Sequence, residues 1–154
     1  MIIRPARHND MNDLVQLWTE FMDFHTALDP DFKRSSDGAR NWVNYITPKL
    51  AEDGFQVFVA ESNELLVGYV IASIMEYPPI TSVRQYGFIS DIAVTGEFRR
   101  RGIARQLFQT AENWLISTGI KRIELKVDVG NETSRGFWTS VGFSRHTETL
   151  IKKY

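Results

Sequence analysis

Between residues 86 and 129 the chain places a near-continuous apolar run, "YGFISDIAV", before an amphipathic stretch and then an alternating run, "RIELKVDV". A strand, a helix and a strand of this size form a crossover unit, which makes the two strands parallel neighbours in one sheet. The helix carries its apolar stripe on Ile103, Leu107, Phe108, Ala111, Trp114 and Leu115, and Gly119 follows as a C-terminal cap. In "RIELKVDV" the residues Ile123, Leu125, Val127 and Val129 share one face. The continuous run before the helix predicts a strand buried on both faces.

The rest of the chain must complete that sheet. "MIIRPAR" reads as a first strand, with Asn9 or Asp10 capping a helix from Asp10 to about His25 whose buried face is Leu14, Leu17, Trp18, Phe21 and Met22. Pro30 ends it. A second helix, roughly Ser36 to Glu52, carries Trp42, Val43, Ile46 and Leu50, with Pro48 unsettling its last turn. "FQVFVAE" and "LLVGYVIASIMEY", separated by "SNE", read as a hairpin, and "PPITSV" as a loop. "NETSRGFWTSVGF" is a short helix ended by Gly142, and "TETLIKKY" a last strand. The order β-α-α-β-β-β-α-β-α-β mixes hairpins with one parallel crossover, an α+β fold around a mixed sheet.

At 154 residues, residues 1–154 are expected to form a single domain. Lys and Arg total 18 against 19 Asp and Glu, a formal charge of -1, so no global field draws in nucleic acid or an anionic membrane. Any anion site must be local. The absence of cysteine excludes disulfides, thiolate metal sites and a cysteine nucleophile. His8, His25 and His146 lack partners at ligand spacing, so no metal is expected. The opening residues lack a signal-peptide pattern and no apolar stretch is long enough to span a bilayer, which leads to the expectation of a cytoplasmic protein.

"EFRRRGIARQLF" is where a local anion site is expected. A helix N-terminus leaves backbone N–H groups unpaired and adds a partial positive charge. Gly102 and Ala104 are small, so N–H groups from about Arg101 to Ala104 are open to a bulky anion such as phosphate. In isolation three arginines read as a solvated loop; a buried strand before them and Gly-x-Ala after them favour a phosphate cradle. The pattern is neither a Walker loop nor Gly-x-Gly-x-x-Gly.

Arg99-x-x-Gly102-x-Ala104, placed after "ISDIAV" and opening a helix, resembles the acyl-CoA pyrophosphate loop of the GCN5-related N-acetyltransferase (GNAT) family. "NETSRGFWTSVGF" resembles that family's second motif at Asn131, Ser134, Phe137, Gly142 and Phe143, and "IRPARHND" is similar to its opening. The resemblance covers essentially the whole chain. It implies a mixed, largely antiparallel sheet with a central, splayed parallel strand pair and flanking helices. It implies acetyl-CoA as cofactor: Arg99, Arg100, Arg101, Gly102, Ile103 and Ala104 on the pyrophosphate, Ile92, Ala93 and Val94 offering main chain to the pantetheine, Asn131 and Ser134 beside that arm, and Phe137 and Trp138 at its far end. Asn131 as a helix cap and Phe137 as core are compatible readings.

The implied reaction is direct attack of an amine on the thioester. Deprotonating a primary amine at neutral pH costs roughly 4 kcal/mol, so a base is useful. Asp91, between Ile89 and Ala93 on one side of an otherwise apolar strand, is the candidate base; a structural carboxylate at a strand bulge is the other reading. Relatives often carry the acid one residue earlier, where this chain has Ser90, and a tyrosine where it has Trp138. Tyr86 or Tyr77 protonating the thiolate, water doing so, or a domain that binds acyl-CoA without turnover are the alternatives. A phosphate- or nucleic-acid-binding domain is the remaining one. The acceptor, a primary amine of a small molecule or peptide, is expected over the first two helices near Phe24, His25, Asp29, Asp31 and Tyr45, with Asp23, Asp29 and Asp31 as either an acidic lure or ordinary surface. Members often pair, so a homodimer is an expectation.

Overall fold

The structure, a computed structural model, describes all residues 1–154. Five strands lie in sequence order across one sheet: β1 (Ile2–Pro5), β2 (Phe55–Ser62), β3 (Leu65–Glu76), β4 (Gln85–Val94) and β5 (Ile123–Leu125). All neighbours are antiparallel except β4 and β5, the parallel pair that the crossover requires. Helices α1 (Met11–Leu28) and α2 (Gly38–Lys49) cover one face; α3 (Ile103–Ser117) and α4 (Glu132–Ser140) cover the other. None of the helices is long and apolar enough to cross a membrane.

Strand alternation builds the two cores. On β2, Val57 and Val59 turn toward α1, while Phe58 and Ala60 turn toward α3. Leu14 of α1 and Leu107 and Leu115 of α3 are wholly buried, each such side chain contributing about 1.5–3 kcal/mol. At Gly68 a side chain would come within 2.7 Å of the Ala93 carbonyl and 3.2 Å of Leu107, so the small residue sets how closely α3 lies on the sheet. Asp10 does not cap α1. Its carboxylate accepts from both terminal nitrogens of the Arg4 guanidinium (2.7 and 2.9 Å) and from the Arg7 backbone N–H (2.6 Å), and Arg4 holds it below the usual carboxylate range.

The β2–β3 hairpin turns on two residues, since Ser62 pairs with Leu65 and belongs to the strand. Asn63 (φ 50°) and Glu64 (φ 65°) are both left-handed, the geometry of a type I′ turn, which favours Asn-Gly. Glu64 is exposed, and Glu64→Gly is expected to stabilise the fold by about 0.5–1 kcal/mol. A urea midpoint that rises at unchanged slope shows the strain released; an unmoved or lower midpoint shows that the turn carries none.

Three expectations change. "TETLIKKY" forms no strand: Leu150 and Ile151 are adjacent, so alternation would send them to opposite faces, and they stand 90% and 72% exposed. The observed order therefore ends at α4. "RIELKVDV" contributes only Ile123–Leu125 to the sheet, pairing as far as Ile89 with Leu125 before the two strands part. And β4 is not buried throughout: only Gly87 and Ile89 are buried, because α1 and α2 leave a cavity over one face and no strand lies beside β4 beyond Ile89.

Candidate active site

Asp91 owes its position to one extra residue. In the β3–β4 ladder Ile71 faces Asp91 and Ala72 faces Ile89, so Ser90 is a bulge. Plain alternation would leave Asp91 on the α3 side with Ile89; the bulge turns it, with Ala93, to the α1–α2 side, while Ile92 and Val94 pack toward α3. The reading of Asp91 on the same side as Ile89 is thus corrected. The Tyr69 hydroxyl, wholly buried beneath, donates to Asp91 Oδ2 at 3.2 Å. Burial pushes the Asp91 carboxyl up to about 6, against the opposing pull of the Tyr69 and Ser90 hydroxyls and the charge of His25. Burial, and then Asp91 itself, push the Tyr69 phenol well above its ordinary value, so it stays a donor.

Asp91, with Ser90 beside it, lines a cavity of about 340 Å³ between the sheet and α1–α2. Of its 13 lining residues 10 are hydrophobic, and Asp91 is the one charged group. Its walls are aromatic: Trp18 and Phe21 from α1, Trp42 and Tyr45 from α2, Phe55 and Phe88 from the sheet. Trp18 and Trp42 stack at 5.2 Å and 19°, tying the helices together above it. The sequence shows these residues as apolar helix faces. What it does not show is that two helices meeting at a tryptophan stack stand off from β4 and leave space there.

Among the expected acceptor residues, Tyr45 lines the cavity. His25 does not, but lies close enough to Asp91 to act on its charge; its Nδ1 donates to the Phe21 carbonyl at 2.8 Å. Phe24 is exposed and meets His25 edge-on. The three acids lie outside and are engaged. Asp29 accepts from the Asp31 N–H at 3.0 Å, Asp23 pairs with Arg34 at 2.8 Å, and Asp31 pairs with Lys153 at 2.7 Å. Tyr86 sits at the opposite end of β4, about 15 Å along the strand from Asp91. It stacks on Tyr77 at 4.3 Å, and Tyr77 bonds Glu124. The structure does not bring either tyrosine to Asp91.

Beyond Ile89 no strand lies beside β4 on the β5 side, so the main chain of Ser90 to Val94 is an open edge. It leads directly into the arginine turn. Arg99 Nε donates to the Val94 carbonyl at 2.9 Å, and Arg101 lies over the Phe98 ring at 5.0 Å. Arg100 (φ 63°) and Gly102 (φ 78°) are left-handed, which bends the chain so that N–H groups from Arg100 to Arg105 have no backbone partner; the helix ladder starts with Gln106 N–H to Gly102 O. The side chain of Ile103 is core, leaving its N–H to the turn. Gly102 is required by its φ, since a side chain there would meet nothing within 4 Å.

In α4, Asn131 caps the helix: its side-chain oxygen accepts from the Ser134 N–H at 3.1 Å. Phe137 is half-buried against the α3-side core, and Trp138 is buried edge-on to Phe108 (5.4 Å) and Phe143 (5.3 Å). Trp138 fills space that holds α4 to α3. Cavity, open strand edge and N–H cradle thus follow one another along a single strand and its exit.

The model of the acetyltransferase (GNAT) family matches residues 13–143. The chain is 33% identical over 89 residues, 58% of its length, to N-alpha-acetyltransferase 30 of Schizosaccharomyces pombe. It spans 57% of that protein and 59% of a second relative, an uncharacterized N-acetyltransferase of Methanocaldococcus jannaschii that is 29% identical over 92% of this chain. Among solved structures, a tetramutant of the BH1408 protein of Bacillus halodurans superposes with a TM-score of 0.88 at 24% identity, covering all of both chains. An aminoglycoside antibiotic 6'-N-acetyltransferase of Acinetobacter haemolyticus does so with a TM-score of 0.79 at 23% identity, covering 100% of this chain and 98% of that one.

Proposed function

This chain belongs to the acetyltransferase (GNAT) family, and we propose that it transfers the acetyl group of acetyl-CoA to a primary amine. The observation that carries the proposal is the line from the Asp91 cavity, past the open edge of β4, to the N–H cradle at Arg100–Arg105. Bound acetyl-CoA supplies the acetyl group as a thioester that a neutral amine attacks directly.

The cradle suits the pyrophosphate: unpaired N–H groups at the N-terminus of α3 converge where Gly102 leaves open space. Arg99, Arg100 and Arg101 add charge around it. Ile92, Ala93 and Val94 offer main-chain donors and acceptors to the pantetheine amides and a backbone N–H to the developing oxyanion. Asn131, Ser134 and Phe137 shape α4 beside that arm, and Trp138 supports them from the core. Asp91 takes the proton from the incoming ammonium. A carboxylate poised near 6 is ionised at neutral pH, and Tyr69 fixes its orientation. No side-chain acid is assigned to the leaving thiol, which with a pKa of about 8.5 departs as the anion.

The burial of Trp138 at the position of the family's tyrosine favours a second reading, a domain that binds acyl-CoA without turning it over. Both readings require acetyl-CoA binding, so calorimetric titration comes first. Saturable binding that a polynucleotide does not displace is expected. Absence of saturation, or displacement by the polynucleotide, overturns the acyl-CoA assignment.

A further inference from the structure

We infer that the acceptor is a primary amine carried on one compact aromatic body, an arylalkylamine, and not a polycation. This rests on the transferase reading and adds to it the chemistry of the second substrate.

The first support is the placement of charge. Asp91 is the one carboxylate on the cavity, so it offers a partner to one ammonium and no more. A second buried ammonium would lose its hydration against apolar walls with nothing to replace it. The nearby acids are occupied elsewhere: Asp23 by Arg34, Asp31 by Lys153, and Asp29 by the turn it closes.

The second support lies at the rim. Lys49 Nζ stands 5.0 Å from the ring centre of Tyr45 and 5.4 Å from that of Phe55 and pairs with Glu52 at 3.6 Å, so two of the cavity's rings already carry a cation. The groove outside the Trp18–Trp42 stack is lined by Lys33 and Arg34 as well as Asp31. A polyamine or aminoglycoside anchored at Asp91 would bring its remaining ammonium groups to a rim whose carboxylates already have cationic partners, Glu52 with Lys49, Asp23 with Arg34 and Asp31 with Lys153. An arylalkylamine has none to place.

The third support is size and surface. About 340 Å³ is at the small end of ligand pockets, which run from about 300 to 1,000 Å³. Trp18, Phe21, Trp42, Phe55 and Phe88 enclose it, the surface that a flat apolar ring fills, with its amine reaching inward to Asp91. Met75 and Tyr45, 41% and 61% exposed, mark the mouth.

The test compares kcat/KM at saturating acetyl-CoA for 2-phenylethylamine, tryptamine, spermidine, kanamycin and a methionine-initiated tetrapeptide. The aromatic amines are expected to exceed each of the others by about 100-fold or more, equivalent to about 2.7 kcal/mol in the transition state. Met75→Glu, at a half-exposed strand position, places a second carboxylate at the mouth and is expected to raise the ratio of spermidine to 2-phenylethylamine by about tenfold. Spermidine, kanamycin or the peptide matching the aromatic amines overturns the acceptor class and leaves the transferase reading intact. Acetyl-CoA binding with no turnover of either aromatic amine also overturns the acceptor class, and it leaves the transferase reading intact only where another amine in the panel is acetylated. Failure of acetyl-CoA to bind overturns the transferase reading itself.

Discussion

Asp91→Asn is expected to lower kcat by about 10²- to 10⁴-fold and to abolish the acid limb of the pH profile. In the parent protein kcat/KM should rise with pH through about 6, as Asp91 loses its proton and becomes a base. Asparagine keeps the shape and still accepts from the Tyr69 hydroxyl, but it cannot take the ammonium's proton at any pH. Stability should move the other way. The folded pKa of Asp91 lies above its ordinary 3.8, so the protonated form favours the fold fully below that value, and this contribution is lost as pH rises through about 6. At neutral pH the asparagine variant is therefore expected to melt no lower than the parent. A variant with full activity and an unchanged acid limb removes Asp91 from the mechanism; a variant that fails to fold is identified by its melting curve.

How Asp91 reaches its cavity marks the boundary of what the sequence discloses. The strand that carries it was legible, because "YGFISDIAV" followed by an amphipathic helix and a second strand forces a crossover. So was the arginine turn, whose Gly102 lies at the left-handed conformation that a chain passing from strand to helix there requires. A strand bulge was one of the two readings of Asp91, but the placing of that bulge at Ser90 was not legible. It depends on which residues of β3 face which residues of β4, and register is a property of the pair. Trp18 and Trp42 were visible as helix-face residues, but a helix face reads the same whether it packs against a neighbour or borders a cavity. The partly buried Tyr69–Asp91 bond joins residues 22 apart and has no local signature. The absent last strand follows from the lack of a one-sided apolar face in "TETLIKKY", which alternation could have exposed.

The second large effect is expected at the cradle. Gly102→Glu should weaken acetyl-CoA binding by at least about 100-fold, about 2.7 kcal/mol, in calorimetric titration. The variant places a carboxylate among N–H groups and arginines that would otherwise hold a phosphate, so it both repels the ligand and competes for its partners. The fold should tolerate it. A side chain at residue 102 meets no atom within 4 Å, and the left-handed backbone costs about 1–2 kcal/mol. Gly102→Ala carries the same backbone cost without the charge and is expected to lose little affinity. Equal losses in the two variants would assign the effect to backbone strain, and unchanged affinity in the glutamate variant would remove the pyrophosphate from this turn.

One chain is expected to bind acetyl-CoA along β4 and to deliver its acetyl group to an amine at Asp91. The most direct test follows free thiol from acetyl-CoA in the presence of 2-phenylethylamine and weighs the products by mass spectrometry. With no cysteine in the sequence, the protein contributes no thiol of its own. The expected result is thiol and N-acetylated amine appearing in equal amounts, with neither produced by Asp91→Asn at a comparable rate. Acetyl-CoA that binds but yields neither product with any amine, or that yields thiol and free acetate without the amide, would contradict it.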